Sequence, residues 1–398
     1  MLRFTTAGES HGPALVSILE GLPAGIPLAA EQVNAELARR QQGYGRGRRM
    51  QIERDEIEFL SGVRAGETIG APVAMMIRNR DWKNWVEIMD PAPRPEDATG
   101  PRKRVVTRPR PGHADLAGIL KYDRDDARDI LERASARETT ARVAAGAICR
   151  RLLDEFGVGI GSHLVHLGGI DAAIPDLLPA HLNAVADTSP LRTLDPEAEG
   201  RMIALIDDAR RAGNTLGGIC EVVVTGLPVG LGSHVSWDRK LDGRIAQAIC
   251  SINAFKAVEF GVGFDGTAMR GSQVHDVILP IAQWDGLPWR HATNRHGGIE
   301  GGISTGEEII VRGGVKPIPT LAHPLPSVDL DSGQEVIAHY ERSDVCVVPA
   351  AGVVAEAMVA IVLADAWLEK FGGDTLAETR SNYERYCATT QPRALLPG

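Results

Sequence analysis

The hydrophobic and polar positions of this chain switch repeatedly between a helical and a strand period. Residues 31–42, with Val33, Leu37 and Ala38 as apolar positions, read as a helix that stops where the glycines begin at Gly43. Met50, Ile52, Ile57 and Phe59 then alternate, which predicts a strand over 50–60, and Pro72 to Ile77 predicts another. Ile130, Leu131, Val143, Ala147, Ile148 and Leu152 predict one long helix over 126–154. Strands are expected around 158–167 and 217–225, and helices near 195–211, 241–252 and 350–371. Between 86 and 112 proline and charge dominate, and the segment reads as a long exposed loop.

The longest apolar stretch, Ala350 to Trp367, is broken by Glu356 and Asp365, so a buried helix is expected there rather than a membrane span. Strands come in pairs between long helices instead of in strict βαβ alternation. That order predicts an α+β fold with layered antiparallel sheets, not a doubly wound parallel sheet. No segment has the composition of a linker, so residues 1–398 are expected to form a single domain.

A hydrophobic share of 43% with 24% charged residues is that of a soluble globular protein. The opening Met1-Leu2-Arg3-Phe4-Thr5 has no apolar core of a secretory signal. Five cysteines, scattered and without a CxxC pair, argue against a disulfide framework or a zinc site and for a reducing cytoplasm.

Charge changes the picture more. The formal net charge is −9, yet Arg39, Arg40, Arg46, Arg48, Arg49 and Arg54 fall within sixteen residues, interrupted by Gly43, Gly45 and Gly47. Only seven of the 43 basic residues are lysine, a bias that coding composition alone can produce, so the clustering carries the signal. Guanidinium forks on a glycine-rich backbone suit phosphate and carboxylate groups. Gly43 to Arg48 also looks like an RGG-type RNA-binding segment, but the acidic whole and the 5% aromatic content oppose that reading.

Other segments carry candidate chemistry. Gly8-Glu9-Ser10-His11-Gly12 matches the nucleophile elbow G-x-S-x-G, although a serine hydrolase using Ser10 needs several strands ahead of it. The other use of this segment is a glycine-flanked His11 open to close approach. Gly261 to Gly266 matches G-x-G-x-x-G without a convincing helix after it. Pro111-Gly112 sets His113 on a stiff corner beside Arg108 and Arg110, either as a site histidine or as an ordinary turn histidine. Arg133 and Arg137 share a helix face among small residues, which suits an anion site or a solvated face equally. Gly297 to Gly302, followed by Lys316 to Thr320, can turn backbone N–H groups toward an anion or a flat ring.

Taken together these segments resemble chorismate synthase across essentially the whole chain. The resemblance rests on Gly8 to Gly12, Arg40 to Arg49, Arg110 to Asp115, Glu132 to Thr139, Ser251 to Ala254, Thr293 to Gly302, Lys316 to Thr320 and Arg342-Ser343-Asp344, in the family's order. It implies a β-α-β sandwich with central helices between antiparallel sheets, assembled as a homotetramer. It also implies 1,4-anti elimination of phosphate from 5-enolpyruvylshikimate-3-phosphate with reduced FMN and no net redox change. By that resemblance His11, His113 and Asp344 are catalytic. Ser10, Arg40, Arg46, Arg49, Arg110 and Arg137 would hold the substrate. Arg133, Ala134, Ser135, Asn253, Ala254, Gly301, Lys316, Pro317, Ile318, Pro319, Thr320 and Arg342 would line the flavin. Some family members reduce their own flavin with NADPH; with no added domain visible here, a separate reductase is the expected supplier.

Overall fold

The computed structural model describes residues 2–47, 54–93, 104–279, 290–341 and 343–390. The first sheet holds β1 (Arg3–Ala7), β2 (Ala14–Glu20), β3 (Ile57–Ser61) and β4 (Val73–Arg78) in the order β1-β2-β4-β3, all antiparallel. Leu15 and Leu19 on β2 alternate with more exposed neighbours, as do Val73, Met75 and Ile77 on β4. That period of two turns one face of the sheet into the core. The second sheet holds β5 (Gly159–Leu167), β6 (Ile170–Asp171), β7 (Gly218–Thr225), β8 (Phe255–Phe260) and β9 (Ile309–Val315), ordered β8-β9-β7-β5-β6. Its central strands β5 and β7 are buried almost continuously, because chain covers both of their faces.

Helices pack on these sheets and on one another. Among them are α1 (Ala30–Gln41), α2 (Asp115–Tyr122), α3 (Arg128–Ala134), α4 (Thr139–Asp154), α5 (Pro196–Arg211), α6 (Leu241–Cys250), α7 (Val348–Phe371) and α8 (Leu376–Thr389). α4 lies on β1 and β2, α7 on β5 and β7, and α4 and α7 pack against each other across the middle. This is the expected α+β sandwich with helices between antiparallel sheets. The close helix crossing needs Gly146: a Cβ there would come within 2.5 Å of the Ala357 Cβ and 2.6 Å of the Ala357 carbonyl oxygen. α7 is long and apolar enough to cross a membrane, but 89% of its apolar window is buried inside the protein. Its one fully buried acid, Glu356, is met by Arg39, Arg150 and Arg192.

The long helix expected over 126–154 is not continuous. α3 ends at Ala134, Ser135 is extended (φ −65°, ψ 144°), and a single tight turn over Ala136–Glu138 leads into α4. The Ser135 hydroxyl accepts from the Arg137 N–H and so stabilises the break. An interrupted helix leaves carbonyls without intrahelical partners. Here the Ala134 and Ala136 carbonyls accept from Asn253 and Arg40. Met50 and Ile52 of the strand expected over 50–60 lie outside the described residues; the remainder of that reading survives as β3.

Candidate active site

The break between α3 and α4 organises a buried arginine cluster. Arg40, from the last turn of α1, donates from Nε to the Thr139 hydroxyl at 3.0 Å and from Nη2 to the Ala136 carbonyl at 2.8 Å. Arg137 donates from Nη1 to both oxygens of Asp55 at 2.7 Å and from Nε to Asn79 Oδ1 at 3.0 Å. Asp55 Oδ2 stands 3.9 Å from Arg40 Nη1, which is buried and donates no hydrogen bond among the described residues. Arg46 Nε lies 3.4 Å from Asp344 Oδ2, and the Gly47 N–H donates to Asp344 Oδ1 at 2.6 Å. Burial first, then the Arg46 charge, lowers the Arg40 guanidinium to about 9, so it stays charged at neutral pH. A charged cluster with an unused donor suits an anionic ligand.

Asn79 connects this cluster to the turn between β1 and β2. Its amide donates to the Glu9 carbonyl at 3.2 Å and the Gly12 carbonyl at 2.8 Å, so it braces the loop that carries Ser10 and His11. Ser135 Oγ lies 3.3 Å from Ser10 Oγ. His11 Nδ1 sits 3.0 and 2.9 Å from the two oxygens of buried Glu132, and its ring stacks on Trp85 at 3.8 Å between centroids.

A second histidine stands on the Pro111-Gly112 corner. His113 Nδ1 contacts Asp115 Oδ1 at 2.5 Å. Arg110 donates from Nε to Asp115 Oδ2 at 2.8 Å and from Nη1 to the Thr320 hydroxyl at 3.0 Å. Burial pushes the Asp115 carboxyl up, but His113 and Arg110 outweigh it and hold it well below the usual carboxylate range. Lys316 Nζ donates to the Gly112 carbonyl at 2.6 Å, and its N–H to the Ala254 carbonyl at 3.0 Å. Asn253 donates to the Ala134 carbonyl at 2.9 Å, while its buried Oδ1 has no hydrogen-bond partner among the described residues. Ala254 takes a left-handed φ of +70°, costly without glycine and so a sign of local constraint.

The family model for chorismate synthase matches residues 2–368. The chain belongs to the chorismate synthase family. It is 56% identical over 390 residues to chorismate synthase of Geobacter metallireducens, covering 97% of this chain and 98% of that one. It is 57% identical over 389 residues to that of Solibacter usitatus, with the same coverage of each. A crystal structure of chorismate synthase aligns over 98% of both chains with a TM-score of 0.76 at 41% identity. Family membership makes the protein a carbon–oxygen lyase.

Within this chorismate synthase fold the expected site residues fall into three groups. Hydrogen bonds and chain neighbours join Ser10, His11, Arg40, Ala134, Ser135 and Arg137, and through Asn253, Ala254 and Lys316 they reach Arg110, His113 and Thr320, while Arg46 and Asp344 pair with each other and act on Arg40 by their charge. Pro317, Ile318 and Pro319 lie on the same loop; a Cβ on Gly112 would meet Pro319 at 3.4 Å, and the Ile318 carbonyl accepts from Thr215. Two residues stand apart. The Arg133 guanidinium turns back along β1 to the Thr6 and Gly8 carbonyls and is partly exposed. Gly301 occupies the tip of a short hairpin, and none of its described contacts reaches either histidine. Arg49 and Arg342 lie outside the described residues. Ser10 sits in a turn between antiparallel strands, not on a strand-to-helix elbow, so the hydrolase geometry is lacking. Sequence reasoning passed over Glu132, Asp55, Asn79, Trp85 and Arg128 as site residues, although Glu132 opens one of the motifs it used.

Proposed function

We propose that the protein eliminates phosphate from C3 and a proton from C6 of 5-enolpyruvylshikimate-3-phosphate in the 1,4-anti sense, giving chorismate, with reduced FMN as cofactor. The observation that carries this reading is the buried cluster of Arg40, Arg46 and Arg137, whose Arg40 Nη1 donates no hydrogen bond among the described residues. A phosphorylated dicarboxylate matches such a cluster, because fixed guanidinium groups bind anions without risk of deprotonation. Arg49 and Arg110 complete the set, with Ser10 beside His11.

The residues also fit a flavin. Asn253 Oδ1 is a buried acceptor without a partner among the described residues, suited to a ring N–H, and Ala134, Ser135 and Ala254 keep its surroundings small. Lys316 to Thr320 adds a cation and a corner against Gly112. In this reading Arg133, Gly301 and Arg342 line the flavin as well. When bound, reduced FMN supplies transient electron density that helps expel phosphate and recovers it afterwards.

The chain's own residues then divide the proton work. His11 gives a proton to the departing phosphate, which leaves more easily once protonated. His113 holds a proton near flavin N1, with its Nδ1 fixed against the Asp115 carboxylate. Asp344, anchored by the Gly47 N–H, would assist N5 of the bound flavin as the atom that takes up the C6 proton. The same reading treats the chain as one cytoplasmic domain that assembles into a homotetramer and receives reduced flavin from a separate reductase. His11→Ala and His113→Ala should each slow turnover by about two to four orders of magnitude in a steady-state assay. Near wild-type rates in both variants would remove these role assignments.

A further inference from the structure

We propose that Glu132 is the positioning residue of His11, holding the imidazole with Nδ1–H bound so that Nε2 is the nitrogen that passes a proton to the leaving phosphate. The proposal rests on the reading of His11 as the acid. Glu132 is buried in the last turn of α3, and its carboxylate grips the same residue twice. Oε2 accepts the His11 main-chain N–H at 2.9 Å, and both oxygens lie within 3.0 Å of Nδ1. The Glu132 carbonyl also accepts the Ser10 N–H at 3.0 Å. Main chain and ring are therefore referred to one rigid point, more than an ordinary ion pair requires.

The surroundings limit the ring's remaining freedom. Trp85 stacks on it with 22° between the planes, and Trp85 is held in turn by the Arg104 and Arg128 guanidinium groups, 4.3 and 5.1 Å from its centroid. Arg128 Nη1 donates to Glu132 Oε1 at 2.8 Å, which compensates the buried carboxylate without taking it from His11. Among the described residues the charged and titratable groups around the pair include Arg128, Arg104 and Asp81, whose Oδ2 accepts the Trp85 Nε1–H at 2.9 Å, with Glu341 3.4 Å beyond Arg128 and His339 3.4 Å beyond Glu341. As an acid the ring carries a proton on both nitrogens; an acceptor fixed on Nδ1 holds that N–H, leaves the Nε2 proton as the one given to phosphate, and keeps the neutral ring that remains in the Nδ1–H tautomer.

The test reads the ring directly in ligand-free, nitrogen-15-labelled protein, with the His11 resonances assigned by their loss in His11→Gln. Wild type should show His11 protonated on Nδ1 when neutral, and Glu132→Gln should shift the population toward the other tautomer. In the anaerobic assay Glu132→Gln should lose about 10- to 100-fold in kcat, less than the full worth of the acid, with KM changed by less than about threefold. Glu132→Asp, which keeps the charge, should recover part of that loss. Wild-type His11 protonated on Nε2, or an unchanged tautomer and kcat in Glu132→Gln, would overturn the proposal. If Glu132→Gln does not fold, Glu132→Asp is read the same way, and a tautomer population and kcat equal to wild type count against it. A wild-type rate in His11→Ala would instead remove His11 as the acid, while the resonances would still decide whether Glu132 positions it.

Discussion

Arg40 shows how a single residue can be costly to the fold and yet, on the proposed function, needed by the site. Its guanidinium is lowered from 12.5 to about 9, by burial first and then by Arg46, against the pull of Asp55. A base whose folded pKa lies below its unfolded value costs stability at all pH below the folded value, and the cost fades as pH rises from about 9 toward 12.5. At pH 7 the whole cost is present. Arg40→Met should therefore stabilise the ligand-free protein by about 1–3 kcal/mol in urea unfolding. Asp55 keeps Arg137 as its partner in that variant, so no carboxylate is stranded. The same substitution should raise KM for the substrate by about 100-fold. A less stable variant with unchanged KM would mean that Arg40 is structural. The arginines were legible in the sequence because clustering survives without a fold. Their acidic partners were not, since Asp55 and Arg137 stand 82 positions apart and only the fold pairs them. Trp85 was hidden for a similar reason, at the edge of a stretch read as exposed loop.

At the scale of elements, periodicity marked α1, α5, α6 and α7 well, because each shows the core a stripe or a fully apolar surface. It missed the break at Ser135. Apolar residues flank the break on both sides, and the small residues at 134–136 carry no hydrophobic signal of their own. Yet that break supplies the carbonyl that Arg40 binds. It also missed α8, whose mixed surface buries little. The α4–α7 crossing yields a packing prediction: Gly146→Val should destabilise by about 3 kcal/mol or prevent folding, as expected of overpacking against backbone. A denaturation midpoint equal to wild type would contradict the close crossing.

Glu356 on α7 gives an electrostatic prediction at the same scale. Burial pushes its carboxyl up, but Arg39, Arg150 and Arg192 outweigh burial and hold it well below the ordinary range. Its stabilisation is thus fully present above about pH 4.5 and is lost as pH falls through the depressed folded value. Glu356→Gln leaves three guanidinium groups without their shared counter-charge and should cost about 3–5 kcal/mol at pH 7. The gap from wild type should narrow as the pH of the unfolding experiment is lowered below 4.5. A gap independent of pH would point to lost packing instead of lost charge.

For the whole molecule, one large core draws buried residues from Leu2 to Phe371 and ties both sheets to the central helices. A smaller cluster of Val106, Ile119, Ala127 and Leu131 sits under the segment that carries Arg110 and His113. The architecture explains why distant stretches of chain meet near the α3–α4 break: the β1–β2 turn, the end of α1 and Asn253 touch it directly, and Lys316 carries the contact on from Ala254 to the Pro-Gly corner. On the proposed function, this meeting point eliminates phosphate only when reduced flavin is present. That requirement is tested most directly by mixing the protein without oxygen with 5-enolpyruvylshikimate-3-phosphate and chemically reduced FMN, then measuring chorismate and free phosphate together. Both should appear in equal amounts with reduced FMN, and neither with oxidised FMN. Absence of chorismate with reduced FMN present, or equal turnover with oxidised FMN, would contradict the proposed function.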